Sequence, residues 1–284
     1  AKGMILVNGK SGFRFRTKQG QPIYWGEKYF DKFYFSRDKK IYSDKLAQLV
    51  LRCNEVSDGR VFDRISRCFN SIYIDEIQDL AGYDLEILGD LFKSNADVTV
   101  VGDPRQATYS TVNVRKNKKY AKANIVNFFE DSKLEIDTDE VSLTTNHRCH
   151  SSICQFSNRL YPDFPQAKPG QDEPTGHDGI FALDEKELNQ YLADYNPMQL
   201  RDNVKKSVND DYPALNFGKS KGLTYERTVI YPSGPMLKWL KNPEENLTQA
   251  ARSKFYVALT RAKYSVAIVL KASDIAKIDG LEKS

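Results

Sequence analysis

Alternating and helical patterns divide the first quarter of the chain. The runs Gly12-Phe13-Arg14-Phe15-Arg16 and Lys32-Phe33-Tyr34-Phe35-Ser36-Arg37 place aromatic residues among charged and small ones. Because successive side chains of a strand point to opposite sides, this alternation predicts short strands or a hairpin within residues 1–43. Between residues 43 and 68 the spacing of Leu46 and Leu49 is instead typical of one face of a helix.

Two short apolar runs end abruptly in acidic residues. Residues 71–74 lead into Asp75 and Glu76, and residues 98–101 lead into Gly102 and Asp103. A helical pattern lies between the two runs. Strand, helix and strand in this order predict a parallel α/β sheet whose carboxyl edge carries the chemistry.

The second half of the chain repeats this alternation. We expect strands near residues 141–143, 179–183, 214, 228–231 and 265–270, and helices at 151–160, from there to about 208, and one ending near 260. A helical stretch at 118–129 and an acidic linker at 130–140 precede this half. The pattern therefore predicts a strand-rich segment (1–43), a first α/β domain (44–135) and a second α/β domain (136–284).

Composition narrows the class of protein. The 284 residues are 40% hydrophobic and 28% charged, a composition typical of globular proteins. The net charge of +4 is compatible with a nucleic-acid partner but is too small to indicate one by itself. No apolar run approaches the roughly 18 residues of a membrane span, and no export leader is visible. Four cysteines (Cys53, Cys68, Cys149, Cys154) are too few for a disulfide scaffold, so we expect a cytoplasmic protein. Since the first residue is Ala1, we also expect a fragment or a processed product.

Asp75 and Glu76 are the first candidate catalytic residues. A strand that ends in two acids suits a Walker B element, in which one carboxylate reaches a nucleotide-bound Mg²⁺ and the other polarises the attacking water. Acidic residues at strand ends are also common in plain solvated turns. The pair by itself leaves both interpretations open.

Five segments in order carry a more specific signal. They are Ile74-Asp75-Glu76-Ile77-Gln78-Asp79, Val101-Gly102-Asp103-Pro104-Arg105-Gln106, Thr145-Asn146-His147-Arg148, Lys219-Ser220-Lys221-Gly222-Leu223 and Tyr256-Val257-Ala258-Leu259-Thr260-Arg261-Ala262. In this order they closely resemble motifs II to VI of the UvrD/Rep-like superfamily 1 DNA helicases. The resemblance covers residues 72–270.

The resemblance implies an α/β fold of two RecA-like domains with parallel sheets. Residues 44–135 would be a partial domain 1A, residues 136–284 domain 2A, and residues 1–43 a remnant of 1B or a hairpin. The interval between Cys154 and Asn216 is too short for the large 2B insertion of the family.

The resemblance also implies ATP and Mg²⁺ as cofactors and assigns roles residue by residue. Asp75 would hold Mg²⁺, Glu76 would orient the hydrolytic water, Gln106 would sense the γ-phosphate, Arg148 and Arg261 would act as arginine fingers, and the backbone of Gly222 would approach the nucleotide. A planar, permanently charged guanidinium suits the neutralisation of a transferring phosphoryl group. We expect Asp75, Glu76 and Gln106 at the carboxyl edge of the first sheet, and Arg148, Gly222 and Arg261 at an edge of the second.

One family element is missing. The P-loop, G-x-x-x-x-G-K-[ST], has no match: Gly9-Lys10-Ser11 offers its last part, but Met4 stands where the first glycine belongs. The first RecA-like domain would then lack its P-loop strand. Without that phosphate cradle we expect this chain to bind ATP poorly.

Several residues are candidates for single-stranded DNA. Tyr109 matches a base-stacking aromatic, whereas Thr111 replaces the next one. The basic run Arg115, Lys116, Lys118 and Lys119 follows, and either phosphate contacts or a solvated face would explain it. A contact to single-stranded DNA would also explain the alternating residues Phe13, Arg14, Phe15 and Arg16. A half-buried hairpin explains their pattern equally well.

Two functional classes remain. The first is an ATP-dependent DNA helicase or translocase on single-stranded DNA, of which this chain is a fragment inactive alone. The alternative is a helicase-derived interaction module without its own ATPase activity, which partners a nuclease in antiviral defence of the Gabija kind. His147, Cys149, His150 and Cys154 suggest zinc only weakly, because their spacing does not match a paired Cys-x-x-Cys site.

Overall fold

The computed structural model describes residues 12–111 and 115–283. Contacts divide the chain into a first unit, Ala1–Pro104 and Ser110–Ile136, and a second unit, Arg105–Tyr109 and Asp137–Ser284. Gly9-Lys10-Ser11, the partial match to a P-loop, lies outside the described residues. The finer division at residues 43 and 135 stays a prediction.

A hairpin opens the described part of the first unit. Strands β1 (Phe13–Arg16) and β2 (Pro22–Tyr24) pair antiparallel, which confirms the prediction for residues 12–16. In the second alternating run, Lys32–Arg37, the first three residues end helix α1 (Phe30–Tyr34), and Phe35 then pairs with Ile41 in an isolated antiparallel bridge. Rings four residues apart explain this difference, because in a helix Phe30 and Tyr34 meet at 4.9 Å between ring centroids.

The helical pattern of residues 43–68 forms two helices. After a 3₁₀ turn at Ser43–Lys45, α2 (Leu46–Val56) and α3 (Arg60–Cys68) are separated by Asp58 (φ 53°) and Gly59 (φ 79°). Glycine adopts this left-handed conformation without steric cost and commonly ends a helix.

The predicted strand, helix and strand are present in the first unit. Strands β3 (Ser71–Ile74) and β4 (Asp97–Val100) pair in parallel, and α4 (Asp84–Phe92) connects them. Helix α4 buries Leu85, Leu88 and Leu91 at helical spacing. The helix expected at 118–129 begins late, because 3₁₀ turns at Lys118–Tyr120 and Lys122–Asn124 precede α5 (Ile125–Asp131).

A six-stranded, fully parallel sheet forms the second unit. Its strands are β7 (Gly179–Asp184), β8 (Met198–Arg201), β9 (Ala214–Asn216), β10 (Tyr225–Ile230), β11 (Ala262–Leu270) and β12 (Glu282–Lys283), in the order β12-β7-β11-β10-β8-β9. Beside it, β5 (Thr145–Asn146) and β6 (Lys168–Pro169) pair in parallel. The helices of this unit are α6 (Ser151–Asn158), α7 (Leu188–Tyr195), α8 (Gly234–Lys241), α9 (Gln249–Leu259) and α10 (Ala272–Ile275).

Apolar clusters cover both faces of this sheet. In β11, Val266 and Ile268 belong to one cluster and Ala267 to the other. Such double burial is typical of parallel sheets. The structure thus confirms the predicted α/β class with parallel sheets. The interval where the family carries its 2B insertion holds only β6 to β8, α7 and their connections before β9.

One strand prediction and one helix prediction in the second unit were wrong. Residues 141–143 form a turn, and the strand follows at Thr145–Asn146. Strand β8 lies where a helix was expected. Its Gln199 is fully buried, and this polar residue interrupts the apolar run by which a buried strand is recognised in a sequence. The Gln199 amide has hydrogen-bond partners inside the fold, because Nε2 donates to Asn209 O (2.7 Å) and Oε1 accepts from Tyr231 OH (2.5 Å).

Among the described residues, no helix combines the length and the apolar character that crossing a bilayer requires.

Candidate functional site

Asp75 and Glu76 lie at the carboxyl end of β3. Asp75 is exposed, and its Oδ1 accepts a hydrogen bond from the Glu76 backbone N–H at 2.7 Å. Glu76 has φ 56°, a left-handed conformation that is uncommon for a residue with a Cβ and is often found at functional sites. This turn leads into a 3₁₀ helix at Ile77–Asp79. Both carboxylates are thus at the sheet edge where they were expected.

Gln78 holds the Glu76 carboxylate, a contact that the sequence did not indicate. The Gln78 side chain is fully buried; its Nε2 donates to Glu76 Oε2, and its Oε1 accepts from the Asp103 backbone N–H at 3.0 Å. It therefore links the ends of β3 and β4. The only signal in the sequence was a polar residue two positions after Glu76.

Gly102 leaves room for this link. A Cβ at this position would lie 2.5 Å from Gln78 Oε1 and 2.6 Å from Ile77 Cγ1, closer than real contacts allow. Glycine is therefore required where the end of β4 approaches the turn after β3.

Thr111 stands where the motif resemblance would place an aromatic residue, and it makes two hydrogen bonds within the first unit. Its Oγ1 donates to Asp84 Oδ2, and its backbone N–H donates to Asp79 O at 2.8 Å. Thr111 therefore ties the segment after Tyr109 to the start of α4. A hydrogen-bonded turn therefore lies where the motif resemblance would place a base-stacking aromatic.

In the second unit, Arg261 lies between α9 and β11 and is 1% exposed. Its guanidinium donates to Val257 O (3.1 Å), Leu223 O (3.3 Å) and Thr260 Oγ1 (3.3 Å). A buried guanidinium needs such acceptors, because an unsatisfied buried charge is costly.

Gln106 contacts Arg261 directly. Arg261 Nη2 donates to Gln106 Oε1 at 3.2 Å, although 155 positions separate the two residues. Gln106 follows β4 in the chain, and we expected it at the edge of the first sheet. By its contacts it belongs instead to the second unit.

Arg105 explains why this short segment packs in the second unit. Its guanidinium lies 5.0 Å from the Tyr256 ring centroid and donates to Pro165 O at 3.3 Å, while its carbonyl accepts from Tyr161 OH at 3.4 Å. Cation–π and hydrogen-bond contacts thus hold Gln106 beside Arg261.

Arg148 reaches the same place from another segment. Its Nη1 donates to Thr260 O at 3.2 Å, and its backbone N–H donates to Asn146 Oδ1 at 2.9 Å. Thr260 therefore accepts from Arg148 through its carbonyl and from Arg261 through its hydroxyl. Arg148 and Arg261 thus share Thr260 as a partner, and Arg261 in turn contacts Gln106.

The loop with Gly222 lies beside this cluster. Gly222 has φ 80° and is exposed, directly after the 3₁₀ turn Phe217–Ser220. Its neighbour Leu223 accepts from Arg261 Nη1, and Arg261 O accepts from the Tyr225 backbone N–H at 2.9 Å. The positive φ favours glycine here.

The DNA-contact candidates are exposed. Tyr109 is 59% exposed, and Arg115, Lys116, Lys118 and Lys119 are exposed as well. Two of the lysines contact acids: Lys116 Nζ lies 3.4 Å from Glu86 Oε1, and Lys119 Nζ lies 2.8 Å from Asp131 Oδ2. The Lys119 contact raises the pKa of Lys119 and lowers the pKa of Asp131. Part of the basic run is therefore already neutralised.

The cysteine and histidine residues after Arg148 do not gather into a metal site. Within the described ranges, no group of three or more His, Cys, Asp or Glu side chains is placed to hold a metal ion. Cys149 is buried, and its burial raises the pKa of the thiol to about 11. His150 Nε2 instead lies 3.3 Å from Asp172 Oδ1.

Residues 18–133 match the UvrD/REP helicase N-terminal domain. This part of the chain is similar to that domain, and it makes up less than half of the 284 residues. This match covers Asp75, Glu76, Gln106 and Tyr109, and the remaining motifs lie beyond it. The two parallel-sheet units of this chain are consistent with RecA-like domains.

Solved structures show looser likenesses to this chain. The helicase nonstructural protein 10 of an arterivirus, solved alone and with DNA, is 15% identical with a TM-score of 0.41 over 73% of this chain and 41% of that one. The C-terminal domain of a possible DNA helicase from Lactobacillus plantarum is 10% identical with a TM-score of 0.29 over 47% and 94%. TM-scores of this size do not establish a common fold. This chain spans 41% of the arteriviral protein's length.

No curated protein matches the chain.

Proposed function

We propose that this chain forms most of the motor core of an ATP-dependent helicase or translocase that acts on single-stranded DNA. The observation that supports this most strongly is the set of hydrogen bonds that links Gln106 to Arg261, and Arg261 and Arg148 to Thr260. Three residues that the motif resemblance assigns to the nucleotide's phosphates come from distant segments, so chain proximity does not explain their meeting.

In this proposal Asp75 and Glu76 divide the work at the end of β3. The exposed Asp75 carboxylate suits Mg²⁺, which typically takes one or two carboxylates together with phosphate oxygens and water. Glu76 acts as the base that orients the water, and Gln78 fixes its carboxylate. Bound Mg²⁺-ATP would supply the phosphoryl group and the metal charge.

The two arginines supply positive charge. A guanidinium is permanently charged and carries several donors, so each arginine can offer positive charge to a phosphate while it keeps contacts to protein oxygens. Gln106 occupies Nη2 of Arg261 and would report the presence of a phosphate by exchanging this contact. Such placed charge is usually the largest contribution to catalysis of phosphoryl transfer.

We propose that this chain alone is inactive as an ATPase. Its sequence contains no G-x-x-x-x-G-K-[ST], and without the P-loop amides and lysine the phosphates are not held. The same lack favours the second candidate, a helicase-derived module that binds a nuclease partner in antiviral defence. A cytoplasmic location stays a prediction.

The purified chain tests both parts. We expect salt-sensitive binding to labelled oligothymidylate, carried partly by Tyr109 and the basic run. Replacing Lys116, Lys118 and Lys119 with Ala should flatten the slope of log K against log salt by up to roughly 2, since each single-strand phosphate contact contributes about 0.7. An unchanged slope would make the run a solvated face.

ATP turnover is the matching measurement. Phosphate release by the chain should equal that of its Glu76→Gln variant, with or without DNA, and a DNA-stimulated rate at normal turnover would contradict the proposal. In a parent protein that carries a P-loop, Glu76→Gln should remove turnover and spare ATP binding, because the amide keeps the shape but cannot act as a base. If such a parent turns ATP over normally with Gln at position 76, Glu76 has no part in the mechanism.

A further inference from the structure

The hairpin β1–β2 exposes every side chain of its first strand. Phe13 is 55% and Phe15 47% exposed, and Arg14 and Arg16 on the alternate positions are exposed as well. A half-buried hairpin would cover one of these two faces. The apolar residues therefore do not serve a core, and the structural explanation left open by the sequence does not hold.

Positive charge concentrates around this hairpin. Residues 12–40 contain eight lysines and arginines and three acids, an excess larger than the +4 of the whole chain. Between Gly12 and Trp25 there are three basic residues, Arg14, Arg16 and Lys18, and no acid. Because the rest of the chain is nearly neutral, the distribution of charge singles out this segment.

Cations and aromatic rings alternate on this surface. The guanidinium of Arg14 lies 4.7 Å from the Trp25 ring centroid and 5.3 Å from that of Phe15. Lys32 Nζ lies 4.4 Å from the Trp25 ring. On the other flank, Phe13 and Tyr24 contact edge to face at 6.5 Å. Each exposed ring thus has a cation or a second ring beside it.

We propose that this hairpin surface binds a single-stranded polynucleotide. Exposed rings stack on bases, and neighbouring cations neutralise the phosphates that connect them. A duplex fits less well, because its base faces are already stacked on one another and closed to side chains. Stacking and phosphate contacts do not distinguish DNA from RNA, so the shared feature is an unpaired, stackable strand.

The inference adds residues to the DNA contact of the proposed function and rests on that function. Tyr109 and the run from Arg115 to Lys119 were assigned from motif position, whereas the hairpin is assigned from exposure, charge and ring geometry. The two assignments can therefore fail separately.

The experiment uses the full chain, with fluorescence anisotropy of labelled oligothymidylate and oligouridylate across a salt series. Phe13→Ala with Phe15→Ala should weaken binding about tenfold with the salt slope kept, because stacking releases no counterions. Arg14→Gln with Arg16→Gln should reduce the slope by roughly 1.4, from about 0.7 per phosphate contact. The control, Arg60→Gln with Arg64→Gln, removes the same charge from exposed positions of α3 and should change neither value.

Because all four hairpin side chains are exposed, the variants should keep the wild-type circular dichroism and melting curve. Wild-type affinity and slope in both hairpin variants would overturn the inference, as would a loss shared equally by the control. If the hairpin variants bind normally while the Lys116, Lys118 and Lys119 variant is weakened, the proposed function stands and the hairpin is excluded. If the wild-type chain binds neither strand, both proposals fail. The inference is also overturned if the hairpin variants change only the binding of a protein partner and leave the binding of both oligonucleotides unchanged.

Discussion

The strands that carry the candidate site residues differ between the two units in how deeply they are buried. In the first unit, β3 and β4 contain no fully buried residue, and Tyr73 is 77% exposed. In the second unit, Val266, Ala267 and Ile268 of β11 are all fully buried between two apolar clusters. The arginines that contact Thr260 therefore lie beside a sheet with a buried core, whereas the carboxylates at the end of β3 follow a strand with no fully buried residue.

This difference shows what keeps each site in shape. Arg261 is held by backbone and side-chain oxygens from elements that pack into the core of the second unit. The Glu76 carboxylate accepts from the buried Gln78 side chain, which needs the lack of a Cβ at Gly102. Regions with little buried apolar surface open more easily, so we expect the site of the first unit to be the more labile.

The largest expected effect comes from one matched pair of strand substitutions. Ile268→Ala in β11 removes a fully buried side chain and should lower the free energy of unfolding of the second unit by about 3 to 5 kcal/mol. Ile72→Ala in β3 removes a partly buried one and should cost the first unit about 1 kcal/mol. The chain's two tryptophans separate the readouts, since Trp25 lies in the first unit and Trp239 in the second.

Urea unfolding of single-tryptophan chains, Trp25→Phe and Trp239→Phe, would measure each transition. Equal losses for Ile72→Ala and Ile268→Ala would remove the contrast between the two sheets.

A smaller effect is expected at Gly102. Gly102→Ala places a Cβ against Gln78 and Ile77 and should destabilise the first unit by about 1 to 3 kcal/mol. The control is Gly89→Ala in the middle of α4, where the new Cβ meets Phe128 at an ordinary 3.9 Å. That change should stabilise the unit by about 0.5 to 1 kcal/mol, because alanine loses less backbone entropy in a helix. Trp25 fluorescence during urea unfolding measures both, and a neutral Gly102→Ala would show that the turn after β3 relaxes freely.

The smallest effect concerns thiol reactivity, which requires no substitution. Cys53 and Cys68 of the first unit are exposed, whereas Cys149 and Cys154 of the second are buried. A thiol reagent at neutral pH should modify the first pair quickly and the second pair only on unfolding, since burial raises the pKa of Cys149 to about 11 and closes access. Peptide mass mapping after short labelling would show this, and fast labelling of Cys149 would contradict the rigid second unit.

The same raised pKa gives a pH dependence. Because the folded state keeps the Cys149 proton that the unfolded chain releases near its ordinary pKa of about 8.5, this contribution to stability is complete below that pH. It should be lost as the pH rises toward about 11. Cys149→Ala should flatten the fall in unfolding free energy over this range.

Local pattern predicted much of the fold. The strand, helix and strand of residues 71–100, the strands β7, β10 and β11, and the helices α6 and α9 lie close to where periodicity placed them. Side-chain period depends on the local backbone, so these elements could be read from short windows. Strand β8 was missed because its buried Gln199 is polar, and its hydrogen-bond partner Asn209 lies outside the strand. Helix α1 was missed because the contact between the Phe30 and Tyr34 rings forms only when the backbone is helical.

By itself, the sequence determined the identity and order of the motif residues, and with them the resemblance to UvrD/Rep-like helicases and the carboxylates at the end of β3. Tertiary structure alone decided that Gln106 joins Arg261, that Gln78 holds Glu76, and that the β1–β2 hairpin is exposed on both faces. The physical reason is that motifs and periodicity are properties of neighbouring residues. Hydrogen bonds across 155 positions and the burial of a face depend on which segments pack together.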